Sequence, residues 1–473
     1  MSDACIAVLG LARSGRAASL LALARGLDVY ASDAGNSAAA LEAAQLIRAA
    51  GGSADVGGHD AARIAECDLL VVSPGIPPTA PILQDPRVAN VPQISELEFA
   101  ARHLRSRVIA VTGTNGKTTV TALTAHLLEA AGIDAIAAGN IGLPLSEVAL
   151  AGDQPEIVVV EASSFQLAGI DRFDPEIGIV TNLSPDHLDR YPSVEAYYAD
   201  KQRLFRNAHP DSRWILNGDD AAVLALAGDA RGLRWLFTVK ERLGIGQRGA
   251  WLEDGELLAR TDPASDPVHL VRTDELPLIG PHNQANALAA ACAALLAGAA
   301  PVLVRDGLRT FRPLEHRMEP VVDANDILWV NDSKATNLES TRVALRGIER
   351  PVVLLLGGRH KGEAYSGLLP DARGHVRVVI AYGESAPIIE ADLGRELRVV
   401  RVDGDFVQVV EAAAQHASAG DVVLLSPACS SYDMFENYEQ RGHRFRELAR
   451  EIVARGMRGL EVTNGGLEVA NGA

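Results

Sequence analysis

The sequence predicts an α/β protein of three domains, each built on a mainly parallel sheet with helices on both faces. Three observations predict it. Apolar runs of strand length alternate with helix-length segments along nearly the whole chain. The 473 residues amount to about three domains at roughly 150 residues each. Many of the apolar runs end in polar or glycine-rich loops, and open parallel sheets gather their ligands beyond the carboxyl ends of the strands.

In order along the chain, a first domain over 1–105 holds strand candidates at Cys5–Leu9, Asp28–Ala31 and Asp68–Val72. A second over 106–313 holds Val108–Val111, Ile157–Val160, Ile177–Val180 and Trp214–Leu216. A third over 314–473 holds Ile327–Val330, Val352–Leu356, Val376–Ala381, Leu397–Val402 and Val422–Leu425. The charged stretch Arg102–Arg107 and the segment Phe311–Arg317 make the junctions, and Asn464–Ala473, rich in Gly, Asn and Ala, reads as a frayed tail.

The formal charge of −17 and an aromatic content of 4% oppose a phosphate backbone and offer few stacking platforms, so no nucleic-acid partner is expected. The first residues carry no basic stretch followed by an apolar one, and the Ala-rich segment Ala285–Val304 is punctuated by Asn286 and Pro301. It reads as a buried helix, so no membrane partner is expected. The four cysteines, Cys5, Cys67, Cys292 and Cys429, show no paired or zinc-type spacing. That pattern predicts reduced thiols, no structural metal and a cytoplasmic protein.

The sharpest motif is Val111-Thr-Gly-Thr-Asn-Gly-Lys-Thr-Thr119, set between a strand and a helix candidate. In such a loop backbone N–H groups curl around phosphate oxygens, Lys117 reaches the β- and γ-phosphates, and the Thr118 hydroxyl ligates Mg²⁺. A magnesium-dependent phosphoryl site needs acidic ligands. Glu161 follows Ile157–Val160 directly, and the next run leads into the polar cluster Thr181–Asp189, which holds His187. Lys201, on a helical stretch, reads by itself as a solvated surface lysine. In the first domain Gly10-Leu-Ala-Arg-Ser-Gly15 follows a strand and Asp33 ends the next, 23 residues after Gly10. This is a near-match to the dinucleotide fingerprint with Ala12 at the middle glycine, and it points to a nucleotide diphosphate. Ser73-Pro-Gly-Ile76 closes the third strand, and three further loops close strands of the last domain. They are Asn331–Asn337, Gly357–Lys361 and Ser426–Ser431, whose cationic and hydroxyl groups suit a small anionic substrate.

Taken together, the P-loop form, Glu161-Ala-Ser-Ser-Phe-Gln166, Asn182–His187, His282–Asn286, His316-Arg317, Asn331–Asn337 and Ser426–Cys429 resemble the Mur ligases, across nearly the whole chain to about Gly456. The Gly10–Gly15 turn, Asp33, Ser73–Ile76, Lys361 and Phe435–Arg441 resemble the members that add D-glutamate. The resemblance implies a Rossmann-like N-terminal domain, a central P-loop ATPase-type domain and a Rossmann-like C-terminal domain. It implies a cytoplasmic, monomeric ligase of peptidoglycan precursor synthesis with the substrates UDP-N-acetylmuramoyl-L-alanine, D-glutamate and ATP. Addition of L-glutamate or L-alanine, and a non-catalytic ATP-binding sensor of nucleotide sugars, are the alternatives.

Carried over by the resemblance, Arg13, Ser14, Asp33, Ser73 and Gly75 contact the uridine diphosphate. Asn140, Ser163, Gln166 and His187 line the muramoyl-peptide and metal region. ATP falls to Gly113, Thr114, Asn115, Gly116, Lys117, Thr118 and Thr119 together with Asn286, Arg317 and Asp332. Thr336, Lys361, Ser431 and Tyr438 receive the amino acid. Two Mg²⁺ ions are implied on Thr118, Glu161, His187 and a carbamylated Lys201, and Lys117, Glu161, His187 and Lys201 form the implied catalytic set. The sequence departs from the pattern at Tyr438, where Phe is usual, at the basic pair Arg359-His360, and at Ala34-Gly35, which lacks a basic residue near the uracil pocket.

Overall fold

The structure, a computed structural model, describes residues 4–187 and 190–464, with 456–464 described by backbone alone. The tail after Asn464 and the last two residues of the cluster Thr181–Asp189 lie outside the described residues. The fold is α/β with three sheets. The first contains Cys5–Leu9 (β1), Asp28–Asp33 (β2), Ser53–Val56 (β3), Leu69–Val72 (β4) and Gln93–Ser95 (β5), all parallel, in the order β3-β2-β1-β4-β5.

The second sheet runs from Arg107–Thr112 (β6) through Ala135–Gly139 (β7), Ile157–Glu161 (β8), Ile177–Val180 (β9), Arg213–Asn217 (β10) and Leu233–Thr238 (β11). It ends in Gly249–Glu253 (β12), Glu256–Arg260 (β13) and Val268–Arg272 (β14). Its order is β14-β13-β12-β11-β10-β9-β6-β8-β7, antiparallel only at the β12-β13-β14 end. The third contains Glu319–Ala324 (β15), Ile327–Asn331 (β16), Val352–Gly357 (β17), Val376–Tyr382 (β18), Val399–Val402 (β19) and Val422–Leu425 (β20). Its order is β15-β16-β20-β17-β18-β19, with β15 the antiparallel strand.

The strands that the sequence marks as unbroken apolar runs are the central parallel ones. Every residue of β8, β17 and β20 is buried, because helices cover both faces. In each sheet the spatial order of the strands departs from their order in the chain near the middle. In the first sheet the reversal lies between β1 and β4, in the second β6 lies between β8 and β9, and in the third β20 lies between β16 and β17. Ligand crevices open at such switch points. The candidate loops leave these strands: Gly10–Gly15 and Ser73–Ile76; Gly113–Thr119, Glu161 and Thr181; Asn331–Asn337, Gly357–Lys361 and Ser426–Ser431.

By packing, the chain forms two compact units, Met1–Leu276 with Ala285–Phe311, and Pro277–Gln284 with Arg312–Ala473. The first unit holds the first two sheets. Its joint is Glu98, a buried carboxylate that accepts from the amides of Asp171, Arg172 and Phe173 (2.9–3.1 Å) and from Arg102 Nε at 2.7 Å. Burial alone raises this carboxyl. The three amides and the guanidinium outweigh burial and hold it below the usual range.

Ala285–Val304 falls largely in the helix Pro281–Ala297, where Ala287–Ala294 are fully buried, and Pro301 starts the next helix, Pro301–Thr310. Among the described residues no helix is long and apolar enough to cross a membrane. The cysteine reading needs correction: the structure joins Cys5 to Cys67 in a disulfide, leaving Cys292 and Cys429 as buried thiols. Cys5 starts β1 and Cys67 lies just before β4. These strands pair in register Ile6↔Leu69, which brings together two cysteines 62 residues apart.

Candidate active site

The P-loop follows β6 and becomes the helix Lys117–Ala130 at Gly116. Gly116 has φ +83°, and a Cβ there would lie 2.4 Å from Asn286 Oδ1, so only glycine lets Asn286 approach the loop. The loop after β9 holds it from the other side. Thr181 Oγ1 and Asn182 Nδ2 donate to Asn115 O at 2.6 and 2.9 Å, and Asn115 N donates to Asn182 Oδ1 at 2.9 Å. Ser184 N donates to Thr114 Oγ1 at 3.0 Å. Lys117 Nζ curls back on its own loop and donates to Thr114 O at 2.7 Å and Gly113 O at 3.0 Å. Thr118 and Thr119 are buried in the first turn.

Glu161 ends β8 and is 2% exposed. Its Oε1 accepts from Asn140 Nδ2 at 2.8 Å, while Oε2 has no hydrogen-bond partner among the described residues. A buried carboxylate oxygen left over in this way costs free energy until a cation reaches it.

Lys201 is 1% exposed, which reverses the reading of a solvated lysine. It lies on the helix Val194–Gln202, Nζ donates to Gly113 O at 2.7 Å, and the ring of Tyr197, one turn earlier, lies 4.5 Å away. Burial, reinforced by the Lys117 ammonium, holds its pKa well below the ordinary lysine range. The carboxylates of Asp186, Glu161 and Asp200 oppose that shift without cancelling it. Tyr197, which sequence reasoning missed, also donates to Thr114 Oγ1 at 3.3 Å. Its four-residue spacing from Lys201 puts both on one helix face, and that was the available signal. His187 has φ +55°, and its ring meets Phe165 edge-on at 5.1 Å.

Ser163 and Gln166 form a capping box on the helix Ser164–Ala168: Gln166 Oε1 accepts from Ser163 N at 3.0 Å, and Gln166 N donates to Ser163 Oγ at 3.3 Å. In the first sheet, a Cβ on Gly15 would lie 1.7 Å from Gly10 O, which explains the second glycine of that turn. Asp33 pins the same turn, accepting from Leu11 N at 2.7 Å and Gly35 N at 2.8 Å, and Ser73 Oγ donates to Gly10 O at 3.2 Å. Arg13 donates to Gly142 O, Ser14 occupies the first turn of the helix Arg13–Ala24, and Gly75 lies in a turn closed by Ile76 N to Ser73 O.

In the second unit Asp332 accepts from Ser426 Oγ at 2.8 Å and Met318 N at 3.2 Å. Its carboxyl is pushed up to about 7 by burial, against the pull of Ser426, Met318 N and Arg317. Arg317 follows the buried His316, and the Tyr438 ring stands between His316 at 6.0 Å and Lys334 Nζ at 4.9 Å. Arg359 N donates to Ser430 O at 2.9 Å, joining the loop that holds exposed Lys361 to the loop that holds buried Ser431. Thr336 lies on the Asn331–Asn337 loop, its amide on Lys334 O at 2.9 Å. The first unit therefore gathers Gly113–Thr119, Asn140, Glu161, Lys201 and Asn286. The second gathers Asp332, Ser431 and Tyr438 along the edge of its own sheet.

Residues 111–294 match the Mur ligase middle domain, and residues 316–429 match the Mur ligase glutamate ligase domain. The chain belongs to the Mur ligase family. Curated relatives of this Mur ligase include the UDP-N-acetylmuramoylalanine--D-glutamate ligase of Salinibacter ruber, 41% identical over 94% of this chain and 97% of the relative. The enzyme of the same name from Anaeromyxobacter dehalogenans is 43% identical over the same shares. Among solved structures, UDP-N-acetylmuramate-alanine ligase MurC from Thermotoga maritima aligns with a TM-score of 0.58 at 22% identity, over 94% of this chain and 99% of that one. A pseudomurein peptide ligase type C from Methanothermus fervidus aligns at 0.57 and 20%, over 95% and 100%. At these identities the two structures speak for the fold alone.

Proposed function

We propose that this Mur ligase joins D-glutamate to UDP-N-acetylmuramoyl-L-alanine at the expense of ATP, in the cytoplasmic synthesis of peptidoglycan precursors, as a monomer. The observation that carries the substrate assignment is identity of 41–43% over 94% of the chain to D-glutamate ligases. The chemistry follows from the physical problem. A carboxylate resists an amine because it is anionic and has no good leaving group. Its oxygen attacks the γ-phosphorus of ATP, the bond to the β-γ bridging oxygen breaks, and ADP leaves. The resulting acyl phosphate is neutral at carbon and carries a good leaving group. The neutral amine of glutamate attacks that carbon, the tetrahedral adduct loses phosphate, and the nitrogen gives up its proton to leave an amide.

Little covalent work is left to the protein, which acts by positioning and by neutralising charge. The P-loop amides and Lys117 cradle the phosphates. Within the same reading Asn286, Arg317 and Asp332 hold the nucleotide, Arg13, Ser14, Asp33, Ser73 and Gly75 hold the uridine diphosphate, and Asn140, Ser163 and Gln166 line the path of the muramoyl peptide. Thr336, Lys361, Ser431 and Tyr438 receive the amino acid. Hard oxygen donors fit Mg²⁺: Thr118 and the unpartnered Oε2 of Glu161 would suit one ion, and the carbamate oxygens of a carbamylated Lys201, with a ring nitrogen of His187, would suit a second. Bound there, the ions neutralise charge on the triphosphate and on the transferring group.

Carbamylation has a physical basis in the burial of Lys201. The depressed pKa favours the neutral amine, whose lone pair can form an N–C bond with CO₂, the nitrogen releasing one proton. The carbamate formed is an anion that Lys117 attracts, where the ammonium form is repelled.

The test supplies the purified enzyme with ATP, Mg²⁺ and UDP-N-acetylmuramoyl-L-alanine and follows phosphate release with single amino acids. Release that depends on D-glutamate is expected. Dependence on L-glutamate or L-alanine reassigns the substrate, and release indifferent to every amino acid overturns the ligase reading.

A further inference from the structure

Arg441 closes the motif Phe435–Arg441 and lies in the first turns of the helix Tyr438–Asn464, in a segment rich in charged residues. It is nevertheless fully buried. Nε donates to Ser333 Oγ at 3.0 Å, and Nη2 donates to Ser333 O at 2.8 Å and Cys429 O at 3.2 Å. Nη1 lies against Gly358, where an added Cβ would sit 3.3 Å from it. The guanidinium also neighbours the buried Tyr382 hydroxyl, and neither Nη1 nor that hydroxyl has another hydrogen-bond partner among the described residues. One guanidinium therefore touches the loops after β16, β17 and β20, which carry Thr336, Lys361 and Ser431.

We infer that Arg441 is the positioning residue that sets the register of the three loops of the amino-acid site; the inference rests on the function proposed above. The geometry needs an arginine. A planar fork with donors at fixed angles reaches three acceptors on two loops at once and lies beside a glycine on the third, whereas an ammonium is a single point of donation. Two more contacts belong to the same clamp. Ser333 Oγ donates onward to Tyr438 O at 2.8 Å, tying the loop to the start of the helix that carries Arg441, and Arg359 N to Ser430 O joins the other two loops. Asp332, next to Ser333, is held separately by Ser426 Oγ and Met318 N, so the nucleotide end does not depend on the fork.

The test is steady-state kinetics of Arg441→Lys and Ser333→Ala with each substrate varied in turn. Arg441→Lys raises KM for D-glutamate about tenfold and Ser333→Ala about threefold, while KM for ATP and for the UDP substrate stay within about twofold. A merely structural role would move all three constants together or lower kcat alone, and either result overturns the inference. If Arg441→Lys does not fold, Ser333→Ala carries the test, and an unmoved KM for D-glutamate in it is decisive against the clamp. Failure of the function itself shows earlier, as the absence of any D-glutamate dependence in the unsubstituted enzyme, and that result removes the inference with it.

Discussion

The carboxyl edges of the second and third sheets each bury a cation, and they treat it in opposite ways. At the second, Lys201 gives one hydrogen bond to Gly113 O, lies near Lys117, and is pushed toward its neutral form, while Glu161 keeps one oxygen unpartnered among the described residues. At the third, Arg441 places three hydrogen bonds on two loops. A buried lysine can surrender its proton, and a buried arginine cannot. On the proposed function, the second edge keeps its charges for ligands and carries the cost in the unliganded protein. The third spends its charge on holding its own loops.

Predictions sharpen that contrast, from the largest expected effect down. Lys117→Ala should lower kcat by at least about 10³-fold, measured as phosphate release, with a thermal midpoint close to that of the unsubstituted enzyme. Substantial remaining turnover would take the P-loop lysine out of the phosphate site. Arg441→Met should cost about 3 kcal/mol in denaturant unfolding, because it leaves Ser333 Oγ, Ser333 O and Cys429 O without their donor. No loss of stability would contradict a clamp.

Lys201→Met should do the reverse. It should abolish turnover yet raise the stability of the unliganded protein, kept free of CO₂ so that Lys201 is unmodified, by about 1 kcal/mol, because an apolar side chain replaces a desolvated amine. The gain depends on pH with a definite sign. Lys201 has a lower pKa folded than unfolded, so between the two values the unfolded chain binds more protons and wild-type stability rises with pH. The advantage of Lys201→Met is therefore largest on the acid side of that window and fades as pH approaches about 10. An advantage that grows with pH would contradict the assignment. The smallest effect belongs to Ser163→Ala, where loss of the cap on a five-residue helix should cost about 1 kcal/mol.

The parts that were legible in the sequence are those set by local chemistry or by burial on both faces. The P-loop, Glu161 and the central strands show in residue order, and Ile177–Val180 and Val422–Leu425 match their predicted bounds. Strands with one wet face or small residues escaped. Glu319–Ala324 carries a proline and two acids, Ala135–Gly139 is mostly alanine and glycine, and the antiparallel strands between Gly249 and Arg272 mix polar with apolar residues. The burial of Lys201 and of Arg441 was illegible for another reason. Each sits in a charged helical segment, and its burial is made by loops far away in the chain, Gly113 for one and Ser333 and Cys429 for the other. The Cys5–Cys67 pairing has the same origin in strand adjacency.

The central claim, an amide made through an acyl phosphate, is tested most directly by following one oxygen atom. UDP-N-acetylmuramoyl-L-alanine labelled with heavy oxygen in its carboxylate is turned over with ATP, Mg²⁺ and D-glutamate, and the phosphate released is examined by mass. The account predicts one labelled oxygen in each phosphate for every amide formed; unlabelled phosphate beside a labelled leaving group elsewhere would contradict it.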